Sequence, residues 1–132
     1  MENTNKEMTL NEYQREAMKT CMPSCNNMAY MLLNLVAEVG EYAGKISKAV
    51  RRSEACFRDN QMTPQYLMEM EYIQKFAEMK EELLYEAGDI LWQLSGVVMK
   101  LGCTLEDAAR LNLDKLASRA KRGKIDGNGD HR

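Results

Sequence analysis

Histidine is nearly absent from this sequence, since the only one among its 132 residues is His131. A zinc site would need more ligands than Cys21 and Cys25, which are four residues apart. A ferritin-like di-iron site would need Glu-x-x-His motifs on two helices. Zinc and di-iron chemistry are therefore disfavoured. The four cysteines are expected to be small buried side chains in a reducing compartment.

A long apolar run is also missing. No stretch approaches the roughly 18 apolar residues that cross a bilayer, and the N-terminal segment MENTNKEMTLNEYQ has no apolar signal core. The net charge of -2 provides no basic excess of the kind that nucleic-acid binding usually requires. We therefore expect a cytoplasmic protein with neither a membrane nor a nucleic acid as its partner.

Proline is scarce, with only two in the chain, and no segment alternates like a strand, whereas Met, Leu, Ala, Glu and Lys are abundant. The sequence predicts a single all-α domain over residues 1–132, a bundle of four or five helices with a flexible tail from about residue 123. Residues 53–65 are polar and are predicted to form a loop. The expected helices run from near Thr9 to before Pro23, from about 27 to 52, from about 65 to 100, and from the cap Thr104 to about Arg122.

The second predicted helix has an apolar stripe that we expect to face the core, formed by Leu32, Leu35, Val39, Ile46 and Val50. The third helix repeats this pattern toward its C-terminal end. Glycines interrupt both helices, and we expect Gly40 and Gly88 to let another backbone approach closely.

Two acidic pairs occupy matching positions beside these stripes. Glu38 and Glu41 are three residues apart on the second helix, and Glu86 and Asp89 have the same spacing on the third. Antiparallel packing of the two helices would bring four carboxylates together, and their repulsion would call for a cation. An all-oxygen ligand set suits Mg²⁺ or Mn²⁺, and Glu82 is an additional candidate ligand. On the residues alone, solvated acidic faces are an equally good interpretation.

Several motifs together resemble the MazG-like all-α nucleoside triphosphate pyrophosphohydrolases. They are NEYQREAMKT at 11–20, E-x-x-E at 38–41, EAGDILW at 86–92, and NLDKLASR at 112–119 followed by GNGDHR near the end. The resemblance implies a helical bundle that forms a homodimer or homotetramer. It also implies Mg²⁺-dependent cleavage of a nucleoside or deoxynucleoside triphosphate to the monophosphate and pyrophosphate.

The resemblance also implies roles for individual residues. It matches Glu38, Glu41, Glu86 and Asp89 to the metal-binding acids, and Asn112, Lys115 and Arg119 to positions that contact nucleotide or phosphate. Beyond the resemblance, we expect Glu38 and Glu41 to be catalytic, with Glu41 as the general base, and Lys45 and Arg122 to be further substrate contacts.

One departure from the family pattern concerns a lysine that commonly lies three residues before the second acidic pair. Leu83 occupies that position here, and Lys80, one turn earlier, is a candidate replacement.

Two other functions fit the same helical sequence. One is a helical protein that binds nucleotides or a regulatory partner without turnover. The other is a helical scaffold with no ligand. Release of pyrophosphate that depends on a metal ion would distinguish the enzyme from both alternatives.

Overall fold

The computed structural model describes residues 6–123, and within them four helices form an all-α arrangement. The helices are α1 (Leu10–Met18), α2 (Met28–Arg51), α3 (Met70–Lys100) and α4 (Leu105–Lys121). A 3-10 turn at Pro23–Cys25 precedes α2, and a hairpin of β1 (Ala55–Arg58) and β2 (Gln61–Pro64) joins α2 to α3. The predicted flexible tail beyond residue 123 lies outside the described residues.

Side-chain caps explain where three of the helices begin. Thr9 and Thr104 each accept a hydrogen bond from the backbone N–H three residues later. The carboxylates of Glu12 and Asp107 in turn accept one from the backbone N–H of the cap residue, which completes two capping boxes. Asn27 caps α2 by accepting from the backbone N–H of Tyr30. The predicted caps at Thr9 and Thr104 are therefore confirmed.

The segment predicted as a loop over residues 53–65 contains two paired strands, which were not predicted from the sequence. Asp59 and Asn60 at the tip of this hairpin have φ angles of 50° and 62°, the left-handed conformation that a two-residue hairpin turn requires and that Asp and Asn tolerate. The guanidinium of Arg58 stabilises the second strand by donating to the carbonyl oxygens of Pro64 at 2.7 Å and Gln65 at 2.6 Å. The strands have four residues each, too few for alternation to be recognised.

The helices α2 and α3 pack together in antiparallel orientation. Met31 near the start of α2 lies against Gly96 near the end of α3, whereas Lys45 late in α2 reaches Glu82 in the middle of α3. The end of the Met31 side chain occupies the space that a Cβ at position 96 would need, so any larger residue there would force Met31 to shift. This geometry provides the antiparallel contact on which the predicted carboxylate cluster depends.

The packing role predicted for Gly40 and Gly88 is not seen. Within residues 6–123 no heavy atom beyond their own local backbone lies within 4 Å of a Cβ built at either position. Both are therefore open in the single chain, and Gly96 is the glycine at which the two helices approach each other closely.

The helix α1 is held against α3 and α4 by buried polar side chains. Gln14 is 7% exposed, and its amide nitrogen donates to the carbonyl oxygen of Ser95 at 3.1 Å while its amide oxygen accepts from the backbone N–H of Leu105 at 3.0 Å. The indole of Trp92 donates to the carbonyl oxygen of Ala17 at 3.1 Å. The first helix is thereby fixed to the end of α3 that follows the acidic residues.

Much of the apolar surface of α2 remains exposed. Leu33 and Val36 are 74% and 73% exposed, and Leu32 and Val39 of the predicted core stripe are about half exposed. The expectation that this stripe faces the core was therefore wrong, since Val50 is also exposed, Leu35 and Ile46 are half-buried, and the buried residues of α2 are Met31 and Ala49. No helix in the described part of the chain is long and apolar enough to cross a membrane.

Candidate active site

Three carboxylates from two helices form the acidic cluster, which we define as Glu38 and Glu41 of α2 with Glu86 of α3. One oxygen of each lies within 4.8 Å of the others. The spacing of three residues puts Glu38 and Glu41 on one side of α2, and the antiparallel packing brings Glu86 of α3 opposite them. The structure therefore brings together three of the four acids predicted as metal ligands.

The surroundings of Glu38 disfavour its negative charge. Burial raises the pKa of this carboxyl above its ordinary value, and the neighbouring charges of Glu41, Asp89 and Glu86 raise it further, in that order. A hydrogen bond from the side-chain amide of Asn34 to Glu38, at 3.0 Å, partly offsets this effect. The cluster is thus a place where negative charge accumulates without full compensation.

Glu86 is a largely enclosed member of the cluster. Its side chain is 12% exposed, and its Oε1 atom lies 3.3 Å from the ammonium of Lys45. Its Oε2 atom is buried and has no hydrogen-bond partner within residues 6–123. A buried carboxylate oxygen without a partner is costly, and a cation at the cluster would relieve it. The residues present therefore fit a divalent metal ion bound through oxygen atoms.

Asp89, the fourth predicted ligand, is not one of the three clustered carboxylates. It is exposed on α3, but its charge acts on Glu38 and also raises the pKa of Tyr13, for which burial is the larger cause. The Tyr13 hydroxyl is 3.5 Å from the carbonyl oxygen of Gly88. Asp89 therefore lies at the edge of the cluster, next to α1.

Lys45 occupies the position where a cation is needed across the two helices. Its ammonium lies 3.3 Å from Glu82 and 3.3 Å from Glu86, and these hydrogen bonds, with Glu82 first, raise its pKa. Glu82, the additional ligand candidate, is thus paired with a lysine in this structure.

The structure also shows which lysine lies near the second acidic pair, since Leu83 occupies the position at which the family commonly has one. Leu83 is only 5% exposed, so the residue at that position packs in the core. The candidate replacement Lys80 instead has its ammonium 5.7 Å from the ring centre of Phe76. Lys45 from the facing helix, rather than Lys80, reaches the second acidic pair, and a spacing rule within one helix could not have revealed this.

The predicted substrate contacts on α4 lie on a different helix, which packs against α1 and α3. Asn112 is exposed and makes no hydrogen bond within the described residues. Lys115 is half-buried, whereas Arg119 is only 5% exposed. Arg122 donates to the carbonyl oxygen of Ser118 at 3.3 Å. The Arg122 contact is local to the end of α4, and the binding roles of Asn112, Lys115, Arg119 and Arg122 stay predictions.

Comparison with known proteins agrees with this arrangement. Residues 26–123 match the family model described as the MazG nucleotide pyrophosphohydrolase domain. The chain belongs to the MazG nucleotide pyrophosphohydrolase family. The matched region contains the whole acidic cluster and all of α4, so the resemblance to MazG-like proteins is confirmed.

A relative among known proteins supports the same assignment. The chain is 31% identical over 109 residues to the Gene 37 protein of Mycobacterium phage L5, and the match covers 83% of this chain and 80% of the phage protein. No solved structure matches the chain. The MazG assignment therefore depends on the family match, with which the phage relative is consistent.

Proposed function

We propose that this MazG-family chain hydrolyses nucleoside or deoxynucleoside triphosphates to the monophosphate and pyrophosphate, with Mg²⁺ as its cofactor and Mn²⁺ as a substitute. The observation that carries the proposal is the acidic cluster, whose three carboxylate oxygens lie within 4.8 Å of one another. Such crowding disfavours the empty site, and a triphosphate brought with a divalent ion would relieve it.

The proposed reaction is a hydrolysis at the α-phosphorus. The oxygen of a water molecule bonds to the α-phosphorus, and the bond from that phosphorus to the oxygen bridging it to the β-phosphorus breaks. Pyrophosphate leaves with the electron pair, and the proton lost by the water passes to a carboxylate. Bound Mg²⁺ would lower the pKa of a water molecule and neutralise phosphate charge.

The chain's own carboxylates have separate tasks in this proposal. Glu86 and Glu38 would hold the cation from facing helices. The Glu86 side chain is largely enclosed, and the Glu38 side chain is oriented by its hydrogen bond from Asn34. Glu41 is exposed and makes no hydrogen bond or ion pair within residues 6–123. Its side chain can therefore turn toward a water molecule, and we propose Glu41 as the general base. Asp89, exposed at the edge of the cluster, would be a further ligand.

A panel of the common nucleoside and deoxynucleoside triphosphates, with Mg²⁺ and read by pyrophosphate release, tests the proposal. We expect turnover of at least one triphosphate, and we expect Glu41→Gln to reduce kcat by about 100-fold or more. Release of orthophosphate instead of pyrophosphate, or no turnover of any triphosphate, would contradict it.

Nucleotide binding without turnover is the second candidate function. It requires only the acidic cluster, whose three crowded carboxylates suit a cation and the phosphate that the cation would carry. This alternative predicts that a triphosphate with Mg²⁺ raises Tm, since binding to the native state must do so, while no pyrophosphate appears.

We also propose that the chain functions as a homodimer or homotetramer. The support comes from α2, on which Leu33 and Val36 are largely exposed and Gly40 has open space beside it. A surface of apolar and small side chains is typical of a helix that packs against a second copy.

A further inference from the structure

A concave surface adjoins the acidic cluster, between the C-terminal half of α2 and the N-terminal half of α3. It encloses about 300 Å³, the lower end of the range for ligand pockets. We call it the basic cleft, because four cationic side chains line it, namely Lys45, Lys48, Arg52 and Lys75.

Three of these cations lie on one side of α2 and of the residue that caps its C-terminal end, Arg52. Lys48 follows Lys45 by three residues and Arg52 follows Lys48 by four, which is the spacing of helix neighbours. Repulsion between like charges at this spacing is offset by the C-terminal end of α2, which attracts cations by a similar amount. Lys75 contributes a fourth positive charge from the opposite wall, on α3.

The anions already present do not account for all of these cations. Lys75 pairs with Glu71 at 2.8 Å, and Lys45 pairs with the acids of α3 at 3.3 Å. Glu54 and Glu78 also line the cleft. Within residues 6–123, however, the side chains of Lys48 and Arg52 form no ion pair with any of them. Two cations therefore face the cleft with their charges available to an added anion.

Lys45 connects the basic cleft to the acidic cluster, since its ammonium touches Glu86 of the cluster and lines the cleft as well. A ligand that binds a metal ion at the cluster and continues past Lys45 would next meet Lys48 and Arg52. A phosphate chain has this chemistry, with an end that binds metal and an anionic remainder that suits lysine and arginine.

We propose that the basic cleft binds the terminal phosphates of the substrate and the pyrophosphate that leaves, through Lys48 and Arg52. This inference rests on the proposed function for its substrate, but not for the binding of pyrophosphate itself. It gives the reaction a direction, because the α-phosphorus lies at the acidic cluster and the leaving group points toward the C-terminal end of α2.

Calorimetric titration of the full chain with inorganic pyrophosphate, without and with Mg²⁺, tests the proposal. The key comparison is Arg52→Met against Arg51→Met, because the two changes remove the same charge from adjacent residues and only Arg52 lines the cleft. We expect Arg52→Met to weaken pyrophosphate binding about tenfold or more, as lost charged hydrogen bonds usually do, and Arg51→Met to leave it within about twofold. Lys48→Met, measured in parallel, should resemble Arg52→Met, and thermal melting identifies any variant that fails to fold.

The outcomes separate this inference from the proposed function. If Arg52→Met and Lys48→Met bind pyrophosphate as tightly as the unchanged chain, or if Arg51→Met weakens binding equally, the inference is wrong, and the cations serve only the C-terminal end of α2. If no triphosphate is hydrolysed but pyrophosphate binding still depends on Arg52, the proposed function fails while the cleft stands. If the Lys48 and Arg52 variants hydrolyse triphosphates with the same KM as the unchanged chain, the proposed function stands and the inference about the basic cleft fails.

Discussion

Glu38 is the residue at which the charge of the acidic cluster should be measurable without any substrate. Its raised pKa means that the native state binds a proton at this carboxyl more tightly than the unfolded chain does. The ionised form therefore destabilises the native state at neutral pH. The penalty fades as the pH falls through the raised pKa and is gone below the ordinary value of 4.5. We predict that Glu38→Gln raises Tm of the metal-free protein at pH 7, and that this gain vanishes near pH 4.

Glu81→Gln provides the matched control, because it removes one charge from an exposed position of α3. It should change the free energy of unfolding by less than about 0.5 kcal/mol, as surface substitutions usually do, and should therefore hardly change Tm. Magnesium should raise Tm of the unchanged chain and of the control more than that of Glu38→Gln. A Glu38→Gln variant that melts lower at pH 7, or a gain independent of pH, would show that the cluster is not under electrostatic strain.

Lys45 should have the opposite effect, because it supplies the positive charge between Glu82 and Glu86. We predict that Lys45→Met lowers Tm of the metal-free protein and that Mg²⁺ narrows the difference, since a metal ion at the cluster replaces the missing cation. Lys48→Met is the control, as its side chain has no ion pair within residues 6–123, and it should not change Tm. Equal Tm values for Lys45→Met and the unchanged chain would refute a role for Lys45 in holding the two helices together.

At the scale of secondary structure, Gln14 connects α1 to α3 and α4. Its buried side chain hydrogen-bonds the carbonyl oxygen of Ser95 and the first backbone N–H of α4, at Leu105. Leucine at position 14 would leave buried groups without partners, so we predict that Gln14→Leu lowers the free energy of unfolding by about 1–3 kcal/mol. Denaturant unfolding measures this loss.

Gln74→Leu is a suitable comparison for that measurement. Gln74 is exposed on α3 and bonds only the side chain of Glu78, at 3.2 Å, so its change should cost less than about 0.5 kcal/mol. A similar loss for both variants would mean that the effect at position 14 comes from helix composition rather than from the buried hydrogen bonds.

Helix positions were predictable where the signals are local. The capping boxes at Thr9 and Thr104 depend on residues three apart, and the structure has both. The start of α3 was predicted less accurately, at about residue 65 instead of Met70. The hairpin that precedes it has strands of four residues, which have no distinct sequence pattern. The Asp59–Asn60 pair is the one local sign of that hairpin, since these residue types accept the left-handed backbone.

The acidic cluster was predictable only in part, for a related reason. Equal spacing identifies Glu38, Glu41 and Glu86 as residues on comparable faces, whatever the rotation of the helices. Whether Asp89 joins them depends on how far α3 turns about its axis, and the Lys45 contact depends on the height at which α2 crosses α3. Both are properties of how α2 and α3 pack. At the other end of the two helices, this packing places the Met31 side chain against Gly96.

For the molecule as a whole, the apolar surface of α2 and the acidic cluster lie on different sides of one helix. Met31 and Ala49 lie on the side of α2 that contacts α3, and they are buried. Leu33 and Val36 lie on the other side of α2, and they are largely exposed. A second copy packing there would leave the cluster open to a ligand while it covers apolar surface. The composition alone does not require this arrangement, because a chain of 132 residues can bury most of its apolar surface without a partner.

A charged residue within this exposed surface should therefore separate the copies. Val36 is 73% exposed, and lysine there would place an ammonium where two apolar helices meet, at a cost too large for the contact to survive. We predict that light scattering of Val36→Lys gives the mass of one chain, 15.1 kDa, while the unchanged protein gives a dimer or tetramer. Met68→Lys, at a position 93% exposed before α3, should keep the larger mass. A single-chain mass for the unchanged protein would remove the basis for self-association through α2, and an unaltered oligomer in Val36→Lys would place the contact on another surface.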